Sequence, residues 1–291
     1  MSVRHPIIAV TGSSGSGTTE VKQTFEQIFW RENVHGVIVD GDSFYRHSRE
    51  EITRRIEAAE RQGKQAPSHF GPEGSDFSGI ERLFREYGET GRSRIRHYLH
   101  DEVEAVRFGG AIGTFTEWQD TPDDSDILLY EGMHGAVKTD KVDVARYPDL
   151  IIGVVPTINL EWIQKIHRDT RKRGQSLESV TSTILRRMPD YVNYITPQFS
   201  RTHINFQRVP VVDTSNPFIA RDVPSLEESF VAIRFADPRG IDFPYLLTMM
   251  DRSFMSRPNT LVIPGGKLPL AMQLILTPMI WKMMERKLDA E

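Results

Sequence analysis

A β-branched run, Ile7-Ile8-Ala9-Val10-Thr11, passes without a break into Gly12-Ser13-Ser14-Gly15-Ser16-Gly17-Thr18-Thr19, and a helical pattern follows over residues 21–30. Strand, glycine-rich turn and helix in that order make a cradle for phosphate. The glycines let successive N–H groups point inward, and the helix adds its positive end and its unpaired first-turn donors. Gly12, Ser13, Ser14, Gly15, Ser16, Gly17, Thr18 and Thr19 are therefore the nucleotide-binding candidates. The spacing meets G-x-x-x-x-G-K-[ST] at every fixed position except one. Thr18 stands in the lysine slot, so the loop keeps a hydroxyl for Mg²⁺ in Thr19 but lacks the cation that bridges the outer phosphates.

Such a unit needs a sheet around it. The apolar runs at 37–39, 127–130 and 150–155 are short and continuous, as strands covered on both faces should be, and they alternate with helical stretches. Residues 209–212 and 230–235 read as added edge or antiparallel strands, and an amphipathic helix from about Leu268 closes the chain. The Gly-, Pro- and Ser-rich residues 61–77 read as a mobile loop, and 121–126 as a second polar connection. The expected fold is thus α/β: a largely parallel central sheet with antiparallel additions, helices on both faces, and one domain spanning 1–291. A net charge of −4 gives no broad pull toward nucleic acid or an anionic membrane, and the lack of cysteine excludes disulfides and thiolate catalysis. No apolar leader is visible, and the apolar tract at 268–284 is interrupted by Gln273, Pro278 and Lys282, so a cytoplasmic protein is expected.

Charged groups collect just past the strands. Asp40-Gly41-Asp42-Ser43-Phe44-Tyr45 follows the second strand, where open α/β sheets build their ligand crevices. A kinase needs a carboxylate there to orient and deprotonate the attacking hydroxyl, and either Asp40 or Asp42 can be that group or a turn cap. Glu131 ends the third apolar strand ahead of a glycine, in the manner of a metal-site acid. On the helix after the fourth strand, Lys165, Arg168, Asp169 and Lys172 share one stripe, so Lys165 or Arg168 can supply the charge that Thr18 does not, with Asp169 as a second metal-site acid. Arg171, Arg173, Arg186 and Arg187 extend the positive field toward a phosphorylated acceptor.

Together these residues resemble the phosphoribulokinase family in its bacterial form. The resemblance runs over essentially the whole chain through Val10-Thr11-Gly12-Ser13-Ser14-Gly15 and through the blocks at 81–91, 130–132, 159–169, 209–221 and 239–245. It implies a P-loop kinase fold and ATP- and Mg²⁺-dependent phosphorylation of D-ribulose 5-phosphate at O1. It further implies Asp42 as base, Lys165 as the cation stabilising the transition state, and Asp169, Glu131 and Thr19 at the metal. Tyr45, Arg49, Arg168 and Arg173 would bind substrate, with Tyr45 standing where the family usually has histidine. Glu20 likewise replaces a small hydroxyl residue. The resemblance also implies a homo-oligomer with NADH and AMP as effectors, and places Arg31, Arg234 and Arg257 at effector-linked positions. Two other readings of the same residues are a P-loop kinase for another sugar phosphate or a nucleoside, and a non-catalytic nucleotide sensor.

Overall fold

The computed structural model describes residues 4–13, 17–171 and 173–290, without the side chain of Thr19. The elements run β1 (Ile7–Gly12), α1 (Thr18–Glu32), β2 (Gly36–Asp40), α2 (Arg49–Arg61), α3 (Phe77–Thr90), β3 (Arg94–Ile95), α4 (Glu102–Phe108), β4 (Gln119–Asp120), β5 (Ile127–Gly132), β6 (Leu150–Val155), α5 (Ile158–Arg171), α6 (Leu177–Asp190), β7 (Ile204–Pro210), β8 (Ser229–Phe235), α7 (Phe243–Met249), β9 (Phe254–Arg257), β10 (Thr260–Pro264) and α8 (Leu268–Leu288). The main sheet has the order β2-β5-β1-β6-β7-β8-β10-β9. Its first five strands are parallel, and β8, β10 and β9 are antiparallel additions. The small pair β3–β4 stands apart.

Both faces are covered around β1. Ile8 and Val10 point to one side, where Val21, Phe25 and Ile28 of α1 pack with Ile275, Leu276 and Ile280 of α8. Ile7 and Ala9 point to the other, against Ile80, Leu83, Phe84 and Tyr87 of α3. Alternation over a continuous apolar strand makes this two-sided burial possible. Further along, the sheet is covered on one face only. Val231, Ile233 and Phe235 of β8 join the α1–α8 core, whereas Phe230 and Arg234 are exposed. Among the described residues, no helix is long and apolar enough to cross a membrane.

Two expectations change. The strand expected at 209–212 begins earlier, at Ile204, and lies inside the sheet between β6 and β8, ending before Val211. Ile204 and Phe206 supply its core face, whereas Val211 and Val212 are exposed. Residues 62–76, expected to be mobile, form an anchored connection: Ala66, Ser68, Phe70 and Ser75 are buried, and Ser68 Oγ donates to Asp190 Oδ2 at 2.6 Å. Gly, Pro and Ser argue against a helix or strand there, but not against burial.

Candidate active site

The parallel strands deliver their C-terminal ends to one edge. At β1 the cradle begins with Gly12 and the buried Ser13, and α1 starts after Gly17, whose φ of 102° lies in the left-handed region. A Cβ at Gly17 would meet only the movable carboxylate of exposed Glu20, so it is the backbone conformation that calls for glycine. Ser14, Gly15 and Ser16, the middle of the expected phosphate loop, lie outside the described residues, as do the side chain of Thr19 and all of Lys172. Thr18, in the lysine slot, is 9% exposed, and its hydroxyl hydrogen-bonds to Glu131. Glu20 is exposed and feels the charge of Arg208 on β7.

Acids converge from β2 and β5. Asp40 and Glu131 are register partners across the two strands. The turn after β2 can sit this close because Gly41 and Gly132 face each other: a Cβ on Gly132 would come within 2.8 Å of Gly41 Cα. Asp40 Oδ1 accepts from the Asp42 backbone N–H at 2.9 Å, so Asp40 caps the turn, and the Asp42 side chain stays partly exposed. His100 Nε2 stands 3.4 Å from Asp42 Oδ2 and 4.0 Å from Asp40 Oδ2. Burial and then the Asp40 charge push the Asp42 carboxyl well up, opposed by a hydrogen bond from Tyr45. Glu131 is raised by burial and by Asp40, opposed by Thr18 and Lys22.

Tyr45 is buried and stacks on His69 with ring centroids 3.8 Å apart. Its edge-on neighbour Tyr98 hydrogen-bonds to Arg49, whose Nη2 also donates to His100 O at 2.9 Å. Tyr45 and Arg49 are thus joined to Asp42 through a ring of side chains.

From α5, after β6, comes the opposite charge. Asp169, 3% exposed at its side chain, accepts from Lys165 Nζ at 2.5 Å through Oδ2, and from Arg168 Nε at 3.0 Å and Arg173 Nη1 at 3.1 Å through Oδ1. Burial works against the Asp169 anion, but Lys165 and Arg168 hold its carboxyl below the usual range. Burial lowers Lys165, opposed by the same carboxylate. Arg168 also acts electrostatically on Asp42, and half-buried Arg187 on Tyr45, so the α5–α6 cations share one field with the turn after β2.

Several supports have no motif in the sequence. Buried Glu161, one turn before Lys165, accepts from Tyr191 Oη at 2.9 Å and faces Ser13. Gln198 uses its whole amide: Oε1 accepts from Thr11 Oγ1 at 2.9 Å and Ala136 N at 3.0 Å, while Nε2 donates to Met133 O at 2.8 Å and Tyr194 O at 2.7 Å. His100, Glu161 and Gln198 are scattered along the chain and join only when it folds.

Of the residues expected to be linked to effectors, Arg234 and Arg257 line one recess of about 730 Å³ on the open face of β6, β7, β8 and β10. Arg31 is set apart within the chain. It leaves α1 to donate to Gln273 Oε1 at 2.8 Å and Thr277 Oγ1 at 2.9 Å on α8.

Known proteins share this arrangement. A family model described as Phosphoribulokinase / Uridine kinase family matches residues 7–215. The chain is 62% identical over 287 residues to the chromosomal phosphoribulokinase of Cupriavidus necator, with 99% of this chain and 98% of that one covered. It is 59% identical over 280 residues to phosphoribulokinase 1 of Cereibacter sphaeroides, covering 96% and 97%. A solved phosphoribulokinase from Rhodobacter spheroides superposes with a TM-score of 0.91 at 55% identity, over 98% of this chain and 99% of that one.

Proposed function

The chain belongs to the Phosphoribulokinase / Uridine kinase family, and from that premise we propose that it transfers the γ-phosphoryl group of ATP to O1 of D-ribulose 5-phosphate. The product, ribulose 1,5-bisphosphate, feeds carbon fixation in the Calvin cycle. One observation carries the reading: Lys165, Arg168 and Arg173 are gathered on Asp169, and the charge of Arg168 reaches the Asp42 carboxyl. The chain works as one catalytic unit over 1–291.

In this mechanism Asp42 accepts the O1 proton as O1 bonds to the γ-phosphorus, and the bond to the β–γ bridging oxygen breaks to release ADP. The proton leaves late in a loose transition state, so placement of Asp42 outweighs its basicity. Lys165 sits where a preorganised cation can meet charge building on the transferring group. The Asp169 carboxylate keeps Lys165, Arg168 and Arg173 together, and those bonds exchange onto phosphate oxygens as substrates enter. Tyr45 and Arg49 line the acceptor side.

Mg²⁺ fits the donor set. Asp40 and Glu131 are hard oxygen ligands set opposite each other at the mouth of the cradle, and their mutual repulsion is relieved by a cation. Among the described residues no three His, Asp or Glu side chains enclose a metal by themselves. When bound, Mg²⁺ would neutralise charge on the nucleotide phosphates; Glu131 and Asp169 would hold it, with Thr19 as its hydroxyl ligand and Asp40 as a further oxygen donor beside Glu131.

A nucleoside acceptor leaves the arginines around Lys165 without an anion to bind, and a mere sensor has no use for a base. The recess at Arg234 and Arg257 supports effector binding by anionic nucleotides such as NADH and AMP, on a homo-oligomer. The test is ADP release with ribulose 5-phosphate, ribose 5-phosphate, uridine and no acceptor. Ribulose 5-phosphate should give by far the highest kcat/KM; equal turnover of uridine, or none of any acceptor, overturns the assignment.

A further inference from the structure

The turn that carries Asp42 is held from behind by a residue no motif marks. Arg96 follows β3, with its guanidinium 3.7 Å from the centroid of Phe115 and 4.7 Å from that of Trp118. From that slot it donates Nε to Ser43 O and Nη2 to Tyr45 O, each at 2.8 Å. The intervening carbonyl, Phe44 O, accepts from Asp76 N at 2.7 Å. Three successive carbonyls of the turn are therefore satisfied from outside it, two of them by one side chain. On the catalytic side, the same segment brings His100 to Asp42.

The geometry needs arginine. Its planar fork reaches two carbonyls at a fixed spacing while its face stacks on aromatic rings; a lysine ammonium offers neither the fork nor the flat face. Partly buried carbonyls left unpaired are costly, so without the fork the turn rearranges toward water. Asp42 lies one residue from Ser43, and displacement of a reacting group by about 1 Å commonly costs about 10²-fold in rate.

We propose that Arg96 is a positioning residue for phosphoryl transfer, which fixes the Asp42–Tyr45 turn through the carbonyls of Ser43 and Tyr45 and is itself fixed by Phe115 and Trp118. The proposal rests on the kinase reading above and has a readout independent of it.

Arg96→Ala and Arg96→Lys are compared with the parent by steady-state kinetics and by amide hydrogen exchange. Arg96→Ala should lower kcat by about 10- to 100-fold, leave KM for MgATP within about twofold, and regain part of its rate on addition of guanidinium at concentrations harmless to the parent. Arg96→Lys should stay folded and recover less than half of the loss, since it keeps the charge without the fork. In both variants the amides of residues 42–45 should exchange faster, while those of β1 and α1 keep the parent's protection. A kcat within twofold of the parent overturns the proposal. So does faster exchange spread evenly over the molecule, the mark of general destabilisation. If the parent itself makes no ADP with ribulose 5-phosphate, the kinase reading fails; exchange at residues 42–45 unchanged from the parent then also sinks the clamp, and faster exchange confined there retains it.

Discussion

The sheet changes character at β7, and its two halves arrange their strand ends differently. From β2 to β7 the strands run parallel, so every C-terminal end reaches the same edge, where Asp42, Glu131 and the α5 cations gather. From β8 to β9 the strands alternate in direction, and their ends are divided between opposite edges. Parallel pairing concentrates loops and helix N-termini at a single crevice, which antiparallel pairing cannot do. The antiparallel strands instead extend a sheet face left open from β6 to β10, with Arg234 and Arg257 around a recess on it. Strand direction thus explains why acids and cations meet at one edge, whereas the recess opens on a sheet face that runs across both kinds of strand.

The largest effect should come from the base. Asp42→Asn is expected to lower kcat by about 10²–10⁴ with ATP affinity nearly intact, measured by steady-state kinetics and nucleotide titration. Near-normal kcat would pass the role to Asp40 and break the assignment of roles at this edge. Next comes Lys165→Met, expected to lower kcat by about 10²–10³ with a smaller change in ATP binding, because its charge acts as the bond breaks. Retained rate would make Arg168 the compensating cation.

Acid sensitivity should also follow the parallel half. Burial holds His134 down at about 4 and His69 at about 3, against 6.5 for an ordinary histidine. Both are neutral in the fold, so below pH 6.5 the unfolded chain takes up protons that the native one refuses, and stability falls with falling pH. His134 alone should remove roughly 2–3 kcal/mol between pH 6.5 and 4, taking about 1.4 kcal/mol per pKa unit. His134→Gln keeps an N–H for Phe70 O and should flatten the fall of Tm with pH; an unchanged slope would place the acid sensitivity elsewhere. The smallest effect belongs to the other half. Arg234→Ala with Arg257→Ala should leave kcat without effectors within about twofold, as expected of side chains remote from the reacting groups. A larger loss would show that the open face also serves the chemistry.

The strand, glycine turn and helix at the start, the parallel strands and the strand-end positions of the acids at 40, 42 and 131 were legible in the sequence because each is a local signal. Glycine spacing records a tight turn, a β-branched run records burial on two faces, and an acid after such a run marks a strand end. The stripe of Lys165, Arg168 and Asp169 was legible for the same reason, since helical periodicity alone places those side chains together. Tertiary structure decided the rest. It set Arg96 behind a turn some fifty residues away, spread one Gln198 amide over Thr11, Met133, Ala136 and Tyr194, and sent Arg31 to α8 instead of to Arg234. A sequence pattern reports what a residue needs within a turn or two of itself. Which distant group meets that need is fixed only when the chain's path closes around the sheet.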